Sequence, residues 1–369
     1  MTAGNLQIRK IACLIPYLQI GGSERVIALL ANEFAKRADL EVHVIVYGRE
    51  APSYHALSKK VTVHRPDFKF DNRVRALSTL RRLGFLRRAI RKGRYDALLS
   101  FGERWNNFVM LACLGLNVRV FLSDRASPEL DIGWLQARLR AILYPRAAGL
   151  LAQTNRARDM ARRHGLNDRI CVVPNPVVMQ QLAAESERQN TILSVGRIIA
   201  SRNYDHLINI FVSLNADDWK LIIVGDDSQG QQHRSRLSSL VDSLGVSESV
   251  VFAGERSDVQ SFYDRAKIFA FTSSSEGFPN AVAEALASGL PVISYDCVAG
   301  PSDLIISGEN GYLVKIFDDR AFRDRLHDLM VNEKKRIQMS TKARESVARL
   351  SVEIAASRIL DFMHGQEPA

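Results

Sequence analysis

The chain has 369 residues, 46% of them apolar and 24% charged, with a formal net charge of +10. That length admits two domains of ordinary size, and the composition is that of a soluble globular enzyme, not of a disordered or fibrous chain. No apolar run reaches the roughly eighteen residues that would span a bilayer. Cys13, Cys113, Cys171 and Cys297 are too scattered for a Cys-x-x-Cys pair, which points to reduced, buried thiols in a cytosolic protein and against a metal centre.

The apolar stretch 11–20 follows Arg9-Lys10 but leads into Gly-Gly-Ser-Glu-Arg and an amphipathic helix, with no small-residue cleavage site. It therefore reads as a first strand, over 10–18, and not as a secretory signal. Gly21-Gly22 makes the turn and a helix runs from 23 to about 36. Further strands are expected at 41–47, 97–100, 118–122, 150–153 and 170–173. Helical stretches lie between most of them, as a parallel sheet requires.

Charge is unevenly spread. Residues 1–180 carry 30 Lys/Arg against 14 Asp/Glu, and residues 181–369 carry 20 against 26. Nine basic residues and no acid fall between Arg73 and Arg94, interleaved with Val74, Leu77, Leu80, Leu83, Leu86 and Ile90. The apolar stripe has a helical period but drifts around the helix, and Gly84 interrupts it. Two readings stay open: a helix lying on an anionic membrane surface or gripping a phosphorylated lipid headgroup, and a solvated basic helix covering its own domain. Nucleic acid is not expected as a partner, because no aromatic residues alternate with the charges to stack bases.

Pro174-Asn175-Pro176 stops regular structure, and the polar 180–190 segment reads as a linker. Alternation then restarts, with strands at 191–195, 220–224, 249–252, 268–272 and 291–294. Helices are expected at about 204–214, 231–244, 259–265 and 280–288, and a long helical tail over roughly 320–363. The fold class is α/β, with one doubly wound domain at 1–180, a second at 190–345 and a helical tail at 346–369. Ligands of such sheets bind at the carboxyl ends of the strands, so a site is expected where two domains of this kind face each other across a cleft.

Five loops fall at those strand ends. Gly21-Gly22-Ser23-Glu24-Arg25 joins the first strand to its helix, and its glycines allow close backbone approach to a diphosphate. Its spacing is neither that of G-x-G-x-x-G nor of a P-loop. Ser123-Asp124-Arg125 follows the 118–122 strand, and Gly254-Glu255-Arg256 follows the 249–252 strand. Gly196-Arg197 with Arg202 follows the 191–195 strand; two guanidiniums beside one loop suit a pyrophosphate, whose oxygens Arg holds in a bidentate fork. Glu276-Gly-Phe-Pro-Asn280 opens a helix that carries Glu284, placing one acid in the loop and the other in the helix below it.

Taken in order, these stretches resemble the family-4 retaining glycosyltransferases, whose fold is GT-B: two Rossmann-like doubly wound domains facing across a cleft. The resemblance covers nearly the whole chain. It rests on Gly-Gly-Ser-Glu-Arg at 21–25, Val-Pro-Asn-Pro-Val at 173–177, Ser-Val-Gly-Arg at 194–197 and Val-Phe-Ala-Gly at 251–254. Glu-Gly-Phe-Pro-Asn at 276–280, Glu-Ala-Leu-Ala-Ser-Gly-Leu-Pro-Val at 284–292 and Gly-Glu-Asn-Gly-Tyr-Leu-Val at 308–314 complete it.

The resemblance implies a role for each matched residue. Glu276 would hold hydroxyls of the transferred sugar, with the main chain of Gly277, Phe278 and Pro279 beside it and Asn280 opening the helix. Glu284 would bind the ribose. Arg197 and Arg202 would neutralise the departing diphosphate, aided by the Gly22 amide, and main chain near Arg256 would read the base. Arg125 would lie on the acceptor side, and the tail would include a helix crossing back over the first domain. The sequence departs from the family at two of these positions: Lys is usual where Arg202 stands, and many members have His where this chain has Arg125, although Ser-Glu-Arg also occurs there.

The implied activity is retaining transfer of a hexose or N-acetylhexosamine from a nucleoside diphosphate donor, a UDP-sugar ahead of GDP-mannose. The leaving phosphate itself would take the acceptor proton. No Asp-x-Asp occurs, in keeping with transfer that uses neither metal nor cofactor. The basic 73–94 region and the Cys-x-x-Gly-Pro-Ser stretch at 297–302 suggest a peripheral enzyme on the cytoplasmic face of the membrane, acting on a lipid-linked or surface-glycan acceptor. A nucleotide-sugar 2-epimerase on the same fold, or a non-catalytic membrane- or RNA-binding protein, are the alternative readings.

Overall fold

The computed structural model describes residues 8–19, 21–48, 55–68, 70–179, 181–227 and 232–366. The chain divides into two units, Met1–Pro176 together with Val352–Ala369, and Val177–Ser351.

The first unit begins with β1 (Lys10–Ile15), α1 (Gly22–Phe34), β2 (Glu41–Val46), β3 (Thr62–His64) and α2 (Arg75–Gly93). It continues through β4 (Ala97–Phe101), α3 (Glu103–Cys113), β5 (Arg119–Ser123), α4 (Trp134–Leu143), β6 (Gly149–Ala152), α5 (Asn155–Arg163) and β7 (Ile170–Val172). The seven strands form one parallel sheet in the order β3-β2-β1-β4-β5-β6-β7. Strands such as β1, β2 and β4 are buried along nearly their whole length because helices cover both faces of the sheet. β1 ends at Ile15 and not at residue 18; Pro16, which lacks an N–H, cannot extend the ladder.

The second unit opens with β8 (Thr191–Val195), α6 (Tyr204–Ser213), β9 (Lys220–Val224), α7 (His233–Ser243), β10 (Val250–Gly254), α8 (Val259–Arg265) and β11 (Ile268–Phe271). Next come α9 (Asn280–Ala287), β12 (Val292–Tyr295), a short α10 (Pro301–Leu304), β13 (Gly311–Val314), α11 (Asp319–Val331) and α12 (Glu333–Val347). Its parallel sheet runs β10-β9-β8-β11-β12-β13. A last helix, α13 (Val352–His364), belongs to the first unit, where it packs on α1 and sets Phe362 edge-on to Phe121 at 5.8 Å.

Both sheets reverse their winding once, between β1 and β4 in the first and between β8 and β11 in the second. Two strands were not expected from the sequence. β3 is a three-residue edge strand whose Thr62 and Val63 are exposed, and β13 lies within the glycine-bearing 308–314 motif. Arg188, in the stretch read as a linker, is buried in the second unit. Its guanidinium donates to the carbonyls of Tyr263, Ala266 and Ser288 at 3.1, 2.7 and 2.7 Å. A cation held by three carbonyls anchors that stretch to the second unit's core, so it is no free tether.

Candidate active site

In an open α/β sheet, the loops that leave the carboxyl ends of the two strands at the winding reversal diverge and leave room for a ligand. In the second unit those are the loops after β8 and β11, and several bonds stitch them together. Asn203 has a left-handed backbone (φ 49°), closes the turn Ala200–Arg202 and heads α6. Its Nδ2 donates to the Thr272 carbonyl at 2.8 Å, while Thr272 Oγ1 donates to the Arg202 carbonyl at 2.8 Å. The Ser274 N–H donates to the Ser201 carbonyl, also at 2.8 Å.

This stitching brings Arg202 to Glu276, Nη1 to Oε1, at 2.5 Å. Only 17% of the Arg202 side chain and 11% of the Glu276 side chain reach solvent. Ser273 Oγ donates to the same carboxylate oxygen at 2.8 Å. The guanidinium carbon lies 5.1 Å from the centre of the Phe271 ring, which supports its flat face. Burial pushes the Glu276 carboxyl above the usual carboxylate range, against the pull of Arg202, the Ser273 hydroxyl and Arg197. Arg197 is exposed, and among the described residues it makes no hydrogen bond or ion pair; its charge nonetheless reaches Glu276.

Pro279 and Phe278 are buried, so this loop offers a ligand its main chain more than its side chains. Gly300 packs directly on it: a Cβ there, at φ 105°, would stand 2.1 Å from Pro279 Cδ. The same 297–302 stretch holds buried Cys297, whose thiol is pushed up to about 12 by burial and then by the Glu276 charge. Asn280 begins α9, and Glu284 lies one turn further on, where Tyr263 Oη donates to its Oε2 at 3.1 Å. Arg256 sits on the separate loop after β10, exposed and paired through Nε and Nη2 with the Asp258 carboxylate at 2.9 and 3.0 Å.

Gly22 and Arg125 belong to the first unit. Gly22 is the exposed first residue of α1, where helix N–H groups have no intrahelical acceptor. Arg125 follows β5 and is partly buried. Its Nη1 donates to Asn175 Oδ1 at 2.5 Å, and its guanidinium stacks 4.0 Å from the centre of the Phe101 ring. Glu103 Oε2 accepts the N–H groups of both Arg125 and Ala126 at 3.2 Å, which fixes the loop. Beside it, Asp124 pairs with Arg140 and accepts from Tyr144 Oη at 2.7 Å.

The structure thus gathers Arg197, Arg202, Glu276 and the 277–280 loop at one reversal point, with Glu284 one helical turn away. Sequence reasoning missed Ser273, Asn203, Tyr263 and Glu103. Serine before the acidic loop and asparagine after the arginine were visible as residues, but only the fold reveals their partners.

Comparison with known proteins supplies the family and the fold. The family described as glycosyl transferases group 1 matches residues 179–346, and the one described as glycosyltransferase family 4 matches residues 20–181. An undecaprenol-diphosphate-glycan α-1,4-N-acetyl-D-galactosaminyltransferase of Campylobacter jejuni is 26% identical, over 91% of this chain and 93% of its own. An uncharacterised glycosyltransferase of Haemophilus influenzae is also 26% identical, over 88% of this chain and 91% of its own. Among solved structures, Anabaena HepE in complex with UDP superposes with a TM-score of 0.81 at 16% identity, covering 96% of this chain and all of that one. The fold is GT-B.

Proposed function

This chain belongs to the family-4 glycosyltransferases, and from that premise we propose which sugar transfer it performs. The donor is a nucleoside diphosphate hexose or N-acetylhexosamine, with UDP ahead of GDP-mannose. The acceptor is a hydroxyl of a lipid-linked or surface glycan, and the new bond keeps the donor's anomeric configuration. The observation that carries this reading is the buried Arg202–Glu276 pair with Arg197 close enough to feel the same carboxylate.

Transfer develops negative charge on the leaving diphosphate and positive charge on the sugar ring. Arg197 and Arg202 meet the first, so no metal is required. Glu276, held by Ser273 on one side and Arg202 on the other, orients sugar hydroxyls and does not form a covalent intermediate. The bond from the anomeric carbon to the diphosphate oxygen breaks as the acceptor oxygen bonds to that carbon on the same face. The diphosphate leaves with the bond's electron pair and takes the acceptor's proton. Glu284 meets the ribose, and main chain near Arg256 reads the base.

Support for the donor comes from the UDP complex of the Anabaena structure, and for a lipid-linked acceptor from the name of the Campylobacter relative. No helix of the described residues is long and apolar enough to cross a membrane. We therefore assign the basic α2 region to peripheral attraction toward an anionic membrane on its cytoplasmic side. The test is incubation of the protein with each nucleotide sugar, with and without a polyprenyl-diphosphate-linked acceptor and with and without EDTA. An acceptor-dependent, EDTA-resistant product of unchanged anomeric configuration supports the reading. Conversion of the donor to its 2-epimer without acceptor refutes it.

A further inference from the structure

An α-helix that only covers its own domain turns its leucines inward and its charges outward. The first half of α2 departs from that pattern. Its inward positions are Ser78 and Arg82, both buried, whereas Leu77 and Leu80 are exposed, Leu80 to 64%, as is Val74 just before the helix. Internal partners account for the buried pair. Ser78 Oγ donates to the Asp71 carbonyl at 3.1 Å, and the Arg82 guanidinium lies 4.0 Å from the centre of the Phe70 ring. Later in the helix the ordinary pattern returns, with Leu86 and Ile90 buried.

α4 repeats the anomaly. At about 3.6 residues per turn, Trp134, Leu135, Arg138, Ala141 and Ile142 share one face, and all five are exposed, Trp134 to 74%. Both helices pack against α3 in one helical layer. α4 leaves the carboxyl end of β5, and α2 runs toward the amino end of β4. In a parallel sheet this puts the first turns of both helices at the carboxyl edge, where Gly22 and Arg125 also lie.

The charges indicate what covers this surface. α2 carries seven Arg or Lys residues and α4 two, with no acid in either. The acids just before each helix are engaged locally: Asp71 caps the Arg73 N–H, Asp131 accepts from the Gly133 N–H, and Glu129 pairs with Arg156. Exposed leucines and a tryptophan among arginines match the boundary between lipid headgroups and acyl chains, where an apolar face is buried and guanidiniums meet phosphates. We propose that the outward face of α2 and α4 inserts Leu77, Leu80, Trp134 and Leu135 into an anionic bilayer surface, holding the carboxyl edge of the first unit's sheet at the lipid. This deepens the peripheral-membrane reading above and rests on it, adding an apolar anchor to what was charge alone.

The full chain supplies its own probe. It has three tryptophans, of which Trp219 is buried, Trp105 is partly buried and Trp134 faces solvent. With mixed phosphatidylglycerol–phosphatidylcholine vesicles, the emission should shift to the blue and be quenched by brominated lipid. Both effects should vanish in Trp134→Phe, which still sediments with vesicles. The Leu80→Gln/Leu135→Gln double variant should bind vesicles about tenfold or more weakly, with an unchanged circular dichroism spectrum and unchanged stabilisation by UDP. The proposal is overturned if Trp134 emission does not respond to vesicles, or if the double variant binds as the wild type does. It is also overturned if light scattering shows a dimer that the double variant dissociates, since the face would then belong to a second copy. A wild-type protein that binds vesicles but gains no stability from any nucleotide sugar would count against the donor reading alone.

Discussion

Arg202 and Glu276, seventy-four positions apart in the chain, meet at 2.5 Å because the loops after β8 and β11 are stitched through Asn203 and Thr272. The cation closest to the acid proposed to position the sugar is thus also one of the two proposed for the diphosphate. Removing one partner leaves the other buried without its counter-charge.

Arg202→Ala should lower kcat by about 10² to 10³, the range found when one donor to a developing charge is removed. Arg202→Lys, which restores the residue usual in the family, should recover most of that loss. Glu276→Gln should fold and turn over on the order of 10²-fold more slowly. Steady-state kinetics with far-ultraviolet circular dichroism check all three, and wild-type turnover in Arg202→Ala would remove this pair from the mechanism.

The raised pKa of Glu276 has a consequence for stability. Its folded carboxyl binds a proton more tightly than the unfolded one, so its titration favours the fold below the unfolded value of 4.5. That contribution is lost as pH rises through the folded value and is then constant. The Tm of the wild type minus that of Glu276→Gln should therefore be larger near pH 4.5 than at pH 7.5. A difference that grows with pH would mean that Arg202 and Ser273 outweigh burial.

Two glycines should respond to alanine with opposite sign. Gly300→Ala places a Cβ 2.1 Å from Pro279 Cδ at φ 105°, and should cost about 1–3 kcal/mol of stability and weaken donor binding through the 276–280 loop. Gly84→Ala, within α2 and with no neighbour in reach, should stabilise by up to about 1 kcal/mol. Urea titration of both variants distinguishes them.

Much of the architecture was legible because parallel strands covered on both faces read as apolar runs at the right intervals, as at 191–195 and 220–224. Edge and glycine-led strands broke that rule: Thr62–His64 is too short and exposed, and Gly311–Val314 is masked by its turn. The drifting stripe of α2 was visible, but which part of it faced inward was not, because burial of Ser78 and Arg82 depends on Asp71 and Phe70. In the site, the acids and guanidiniums stood out by type and spacing. Their supports, Ser273, Asn203 and Tyr263, are ordinary residues until the fold supplies their partners.

Tyr263 exemplifies such a support. It is buried on α8, and its hydroxyl donates to Glu284 at 3.1 Å. Tyr263→Phe keeps the packing and removes the bond, worth about 0.5–1.5 kcal/mol. The expected result is a rise of about 2- to 12-fold in KM for the donor with kcat little changed; a fall in kcat at constant KM would assign the hydroxyl to another step.

The central claim is that the second unit's loops grip a nucleoside diphosphate sugar, and thermal unfolding against a panel of UDP-, GDP-, ADP- and dTDP-sugars tests it most directly. One class should stabilise the wild type saturably, by about 2.7 kcal/mol at a hundred times its Kd, with the effect sharply reduced in Arg197→Ala and Glu284→Ala. No stabilisation by any nucleotide sugar, or equal stabilisation of both variants, would contradict the account.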